Sequence, residues 1–359
     1  AKRLPHFKFS ILSGTSAGAI NAVQLARHQG NLRECVEDLW KLWEGLTMDQ
    51  VIEANTGSLA GMVARWGLRV ISGGSSFSPT TRGLVDTTPL KNFLTRETNC
   101  LPNGKIPGIE ENILRGRLHS LAITTTDYST GRSVTWIHGK KTNEWNRTYR
   151  AGVETKIRLD HIMASSSIPM IFPAVKIDES WHGDGGVRQT TPLSPAMHLG
   201  ADKILAISTR NLPADVLPET GPARGYPPPA QVAGVLMNAI FLDALEFDAA
   251  TTQRFNALLK KLPEEDHCGL RPVDLLTARP SEDLGVLAAN FEPRLPGPFR
   301  FLERGLGTQE TDSHDLLSLL MFQPEYIEAL LSLGESDAKQ RADEVIPFLT
   351  GDRTAKVLT

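Results

Sequence analysis

Apolar and polar positions at the start of this chain resolve into a strand and a helix separated by a very short turn. Residues 7–13, opening with Phe7-Lys8-Phe9-Ser10-Ile11-Leu12, predict a β-strand. Ser16–His28 predicts a helix whose first turn holds the small residues Ala17, Gly18 and Ala19. Helical spacing returns at 33–46, through Leu39, Trp40, Leu42, Trp43 and Leu46. It returns again at 58–71, through Leu59, Met62, Val63, Trp66 and Val70 with Arg65 and Arg69 among them, and the Gly/Ser-rich run Ser72–Ser78 ends it. Leu118–Thr125 and Ser133–Ile137 predict two strands joined through Ser129-Thr130-Gly131, a hairpin-type linker. A further strand, Lys203–Ser208, follows the helix-like Pro195–Leu199.

Strands alternating with helices predict an α/β fold. Prolines and glycines crowd between Leu212 and Pro229, a helix is predicted from Val232 to about Leu262, and Pro293–Pro298 marks a second loop. The chain thus divides into residues 1–210, a linker at 211–230, and a mainly helical region at 231–359 packed on the first; no internal repeat is found.

Composition narrows the partners. Lys plus Arg number 38 against 41 Asp plus Glu, and a net charge of −3 gives no reason to expect nucleic acid. Cys35, Cys100 and Cys268 are odd in number and far apart, which fits neither a disulfide framework nor a zinc site and favours a reducing compartment. The best apolar run, Val232–Leu245, is broken by Asn238 and Asp243 and falls short of the roughly 18 residues a spanning helix needs. A cytoplasmic or membrane-peripheral protein is expected. Because the sequence opens on Ala1 with a strand close behind, it reads as starting inside a longer chain, which leaves an export signal open. Segment 58–71 suits an interfacial helix, although core packing or a lid is the preferred reading. Nothing in the composition signals an oligomer.

The chemistry concentrates at two glycine-rich turns. Gly14-Thr15-Ser16-Ala17-Gly18 has the form Gly-x-Ser-x-Gly, in which a sharp strand-to-helix turn exposes a serine hydroxyl and the glycines relieve crowding. The Ala17 N–H, at the helix start, is then placed to donate to a developing oxyanion. A serine needs a base, and the candidates are nine histidines and the loop carboxylates. Asp184, in His182-Gly183-Asp184-Gly185-Gly186, sits on a bare turn that another main chain can approach. Taken singly, an ordinary Gly/Ser turn and an ordinary Asp-Gly turn remain open. His182 reads as a surface or supporting histidine.

Five blocks together resemble the patatin-like phospholipase family, in its bacterial form. They are Gly14–Gly18; Asp86-Thr87-Thr88-Pro89-Leu90; Thr126-Asp127 with Thr130-Gly131-Arg132; Ala164-Ser165-Ser166-Ser167-Ile168-Pro169 with Phe172-Pro173; and Asp184-Gly185-Gly186 through Thr191-Pro192-Leu193 to Gly200-Ala201-Asp202. Their order and spacing match across roughly residues 7–210, and Ser313–Leu333 resembles a helical tail less specifically. The resemblance implies a three-layer α/β/α fold with a mainly parallel central sheet and a C-terminal helical region. It implies lipid ester hydrolysis through a Ser16–Asp184 dyad and an acyl-enzyme, with Gly14, Thr15, Gly18, Gly185 and Gly186 in support and no metal or cofactor. Headgroup and chain length are left to pocket shape.

One departure from the family stands out. Its glycine-rich oxyanion loop, of the form GGGxRG, has no counterpart before Ser16, and Gly73-Gly74 lies on the wrong side of the serine. Loss of one oxyanion donor typically costs about 10²- to 10³-fold. The sequence as it stands is therefore expected to be nearly inactive, and we read this as truncation. Two alternatives follow. One is an α/β-hydrolase esterase with a Ser-Asp-His triad using His198, His267 or His314, and the other is a non-catalytic lipid-binding module.

Overall fold

The run Ser120–Asp127 is buried at every position and forms β2, the strand around which the first part of the chain assembles. In the computed structural model the described residues are 1–53, 83, 85–140, 144–211, 243–291 and 321–351, with isolated positions at 232–241 and 318. They belong to two compact units, Ala1–Gln189 and Thr190–Thr359.

In the first unit, β1 (Ile11–Gly14), α1 (Ala17–Arg27) and α2 (Leu32–Glu44) come first, followed by α3 (Thr88–Glu97) and α4 (Ile109–Leu114). Next come β2, β3 (Arg132–Gly139), β4 (Trp145–Asn146) and β5 (Arg150–Glu154), then α5 (Leu159–Ser165), β6 (Val175–Ile177) and β7 (Ser180–Asp184). One edge of β2 pairs antiparallel with β3 along its whole length, from Ser120↔Gly139 to Asp127↔Arg132. The other edge is shared. β1 runs parallel to its first half, ending at Gly14↔Ile123, and β7 runs antiparallel to its second half, ending at Thr125↔Asp184.

The sheet is α/β with helices on both sides, but it is mixed where a mainly parallel one was expected. β1–β2 and β3–β5 are parallel, whereas β2–β3, β2–β7, β4–β5 and β6–β7 are antiparallel. Tight hairpins are the physical reason for β2–β3, β4–β5 and β6–β7, since they can join only antiparallel strands, while β2–β7 pairs strands distant in sequence. The β2–β3 turn is closed by Asp127, whose Oδ1 accepts from Ser129 N–H at 2.9 Å and whose Oδ2 accepts from Thr130 Oγ1 at 2.7 Å. The first strand is also shorter than expected. Phe7 and Phe9 stack on each other edge to face, 5.1 Å between centroids, instead of extending β1.

α1 packs on β1 and β2 through Ala19, Ile20, Ala22, Val23 and Ala26, all buried. Its C-terminal end is closed from α4, where Asn112 Nδ2 donates to the carbonyls of Ala26 at 2.8 Å and His28 at 2.9 Å. α2 starts with a reciprocal capping box between Asn31 and Glu34.

The second unit contains α6 (Ser194–His198), β8 (Lys203–Ile207), α7 (Asp243–Leu259), β9 (Asp274–Ala278), α8 (Leu284–Ala289), α9 (Pro324–Gln340) and α10 (Ala342–Thr350). β8 pairs in parallel with β9, a strand the sequence pattern did not bring out, over a core of Leu193, Ile204, Ala206, Ala249 and Val273. The expected segments at 58–71, Ser72–Ser78, Leu212–Pro229 and Pro293–Pro298, and His314, lie outside the described residues.

Replacing Asn112 with Leu leaves two carbonyls at the end of α1 without their donor. We expect a loss of about 1–3 kcal/mol in urea unfolding, measured at constant m-value.

Candidate active site

β1 and β7 run towards each other along the same edge of β2 and stop one residue apart, on either side of Thr124. This brings the turn after β1 and the end of β7 together, and with them Ser16 and Asp184.

Ser16 holds φ 55° and ψ −129°, a left-handed-side conformation that a non-glycine residue rarely adopts. It is the N-cap of α1, yet its side chain makes no capping bond, so the hydroxyl is not committed to the helix. The turn needs Gly14, because a Cβ there would stand 2.2 Å from the Gly18 carbonyl oxygen. Gly18 differs from expectation: a Cβ at that position meets nothing within 4 Å, so crowding explains only the first glycine of the pair. Ala17 is the first residue of α1, where the N–H has no intrahelical acceptor and points out of the helix start.

Asp184 is completely buried. Its N–H donates to Ser167 O at 2.9 Å, and its carbonyl accepts from Thr126 Oγ1 at 2.7 Å. Oδ1 accepts from Gly186 N–H at 2.8 Å, while Oδ2 has no hydrogen-bond partner. Burial pushes the carboxyl pKa up to about 7, against the opposing pull of the Ser16 hydroxyl and the Gly186 N–H. The hydroxyl is thus near enough to act on the carboxyl without lying in strict hydrogen-bond geometry with Oδ2. Gly185 is required as well, since a Cβ would fall 2.3 Å from the Thr124 carbonyl oxygen.

Further residues that the sequence reading did not assign now have places. Gln189, at the end of the first unit, accepts from Thr15 Oγ1 and donates to Thr124 Oγ1 at 3.2 Å, which ties the loop after Asp184 to the turn before Ser16. Ser165 and Ser166 bind the main chain of Ser16. The motif block Ala164–Pro169 was the only signal for these serines, and no local pattern pointed to Gln189.

The nearby histidines face elsewhere. His182 is buried, its Nδ1 shares a hydrogen bond with Thr125 Oγ1 at 3.1 Å, and burial lowers its pKa. His161 accepts from Arg158 N–H at 3.0 Å, and burial takes it down to about 4. His267 bonds the carbonyls of Leu259 and Leu262 within the second unit. Among the described residues no group of three His, Cys, Asp or Glu is arranged to hold a metal. A cavity of about 340 Å³ lies at the far end of α1 from Ser16, lined by Phe7, Leu25, Cys35 and Arg117 among others. Burial raises the Cys35 thiol to about 11, so it is not a reactive group there.

An α/β unit that sets a strained serine at a helix start beside a buried aspartate has the layout of a serine hydrolase. The patatin-like phospholipase family model matches residues 4–197, more than half of the chain, and the protein belongs to that family. Membership implies lipid acyl hydrolase activity and lipid substrates. No curated protein matches the chain. No helix among the described residues is long and apolar enough to cross a membrane.

Two alanine substitutions separate the roles of the motif glycines. Gly14→Ala should destabilise the protein by about 1–3 kcal/mol or more. Gly18→Ala should be neutral or stabilising by up to about 1 kcal/mol, both measured by denaturant unfolding.

Proposed function

We propose that the protein hydrolyses acyl esters of lipids through a Ser16–Asp184 dyad, and that the unit Ala1–Gln189 carries the chemistry, with the later, helix-rich part of the chain as an appendage. The observation that carries this reading is a buried carboxyl with one unpartnered oxygen beside a serine whose hydroxyl is not used for capping.

Asp184 in its ionised form takes the proton of Ser16 as the Oγ attacks the ester carbonyl. The negative charge that develops on the carbonyl oxygen falls at the start of α1, where Ala17 N–H donates and the helix dipole favours it. Collapse of the tetrahedral intermediate breaks the bond to the leaving alcohol or lysolipid, which receives the proton from Asp184. The same carboxylate then removes a proton from a water that attacks the acyl-enzyme, releasing the fatty acid and restoring Ser16. An ordinary carboxylate is a weak base for this work. A pKa near 7 brings Asp184 into the useful range, because the best general base titrates near the working pH.

Labelling of the full-length protein by a fluorophosphonate tests the nucleophile. Ser16 should take the label and Ser16→Ala should not, with hydrolysis of a short-chain ester falling at least about 10³-fold. Activity that survives Ser16→Ala would sink the proposal. So would a comparable loss on replacing His198, His267 or His314.

The base predicts a pH profile. kcat/KM should rise with pH and level off above an apparent pKa near 7, since the ionised form is the active one. The linkage runs the opposite way. A carboxyl raised from 3.8 to about 7 contributes stability that is full below about 4 and is lost as pH rises through about 7. Asp184→Asn should therefore abolish activity yet unfold at a higher temperature than wild type at pH 8, by an amount corresponding to a few kcal/mol (~1.4 per pKa unit).

A further inference from the structure

The conformation of Ser16 is costly for a residue with a side chain and persists only where its surroundings enforce it. The groups that enforce it come from one tripeptide at the end of α5. Ser165 Oγ accepts from Ser16 N–H at 3.0 Å and donates to the Thr124 carbonyl at 2.7 Å. Ser166 Oγ donates to Ser16 O at 3.2 Å. The Ser167 carbonyl accepts from Asp184 N–H at 2.9 Å. All three residues are buried.

Ser165 has a place in this group that the other two lack. Thr124 falls between the last pair of β1 and the last pair of β7, so on this edge of β2 no strand residue stands opposite it. The Ser165 hydroxyl takes that carbonyl. Its lone pairs then meet the N–H of Ser16, a position where a helix start normally relies on a side chain from its own first turn. One buried hydroxyl therefore links the strand junction to the serine backbone, while the next residues along the same tripeptide hold Ser16 O and Asp184 N–H.

We propose that Ser165 is the positioning residue of the hydrolysis: by binding Ser16 N–H and Thr124 O at once, its hydroxyl holds the Ser16 hydroxyl at the separation from Asp184 at which the proton passes directly. The inference rests on the dyad reading above. It requires Ser165 to act through geometry, without touching substrate.

Removing the hydroxyl should displace the nucleophile more than it weakens binding. Ser165→Ala is expected to lower kcat about 100-fold on a p-nitrophenyl ester with KM changed by less than about threefold, a split that marks lost alignment. Fluorophosphonate labelling of Ser16 should slow in the same proportion. Thr98→Val is the comparison matched for burial, because its hydroxyl, at the end of α3, donates to the Leu94 carbonyl at 2.7 Å and no bond joins it to Ser16 or Asp184. It should keep kcat within about threefold of wild type. Ser165→Cys preserves the shape with a weaker donor and acceptor, and should be about tenfold slower; it carries the test if Ser165→Ala does not fold.

A folded Ser165→Ala or Ser165→Cys protein with wild-type kcat and labelling rate overturns the inference. Equal losses in Ser165→Ala and Thr98→Val overturn it too, since that pattern marks a general packing defect. A wild-type protein not labelled at Ser16 overturns the dyad reading and this inference with it. Normal labelling of both wild type and Ser165→Ala overturns this inference alone.

Discussion

A strand edge offers its N–H and C=O groups in sequence, and a neighbour that stops leaves the next group without a partner. β2 has one edge taken up by β3 and the other divided between β1 and β7, which end on either side of Thr124. The two incoming strands point at each other, so the residues that follow each of them converge on the same spot. Ser16 and Asp184 are neighbours because pairing along β2 delivers them there. No attraction between a hydroxyl and a carboxyl would be strong enough to do so, since a net hydrogen bond is worth only about 1 kcal/mol. The register of the ladder is the constraint, and the site inherits it. A slip of one residue in β7 would turn the Asp184 side chain to the opposite face of the sheet.

This arrangement concentrates unfavourable terms in one place. Ser16 is strained, and Asp184 is taken out of water with one oxygen unpaired. Both are tolerated because the frame around them is dense. Leu121, Ala122 and Ile123 are fully buried in β2, and α1 covers the strands with Ala19, Val23 and Ala26. Main-chain groups of Ser16 and Asp184 are tied to the end of α5 and the two residues after it, and Gln189 fastens the adjoining loops through Thr15 and Thr124. In the proposed dyad, stability given up at the carboxyl is what suits it to act as a base, which is the usual relation between an active site and its scaffold.

Much of this was legible in the sequence, for physical reasons that differ by element. The turn at Gly14–Gly18 was readable because its geometry is local: a strand, a glycine where Cβ would strike the next helix turn, and small residues after it. The β2–β3 hairpin was readable through its turn residues. The directions of β1–β2 and β2–β7 were not, because those strands find partners distant in sequence. The start of β1 was misjudged since Phe7 and Phe9 alternate like strand residues yet stack on each other ahead of Ile11. Asp184 drew attention through its glycines, but its lack of a partner at Oδ2 is a property of packing. Ser165 was marked only by its motif block and Gln189 by no local pattern, since a serine at a helix end and a glutamine in a loop are ordinary until the chain closes around them.

The histidines sharpen the logic of the proposed dyad. An imidazole base must present one nitrogen to the serine and keep the other on an orienting acceptor. His182 and His161 flank Trp136, with ring centroids 5.5 and 4.9 Å away, and each has Nδ1 engaged by a neighbour other than Ser16. Asp127, which with Asp178 supplies the carboxylate charge that acts on His182, has both oxygens occupied by Ser129 and Thr130 at the hairpin. Among the described residues neither ring is hydrogen-bonded to Ser16. A carboxylate working alone has no tautomer to fix and needs only an orientation and a higher pKa. Gly186 N–H supplies the first by holding Oδ1, which leaves Oδ2 for the proton. Burial supplies the second, raising the group to the range that imidazole occupies without help. Desolvation thus does for Asp184 what ring chemistry does for histidine, and it does so only while the junction around Thr124 keeps water out.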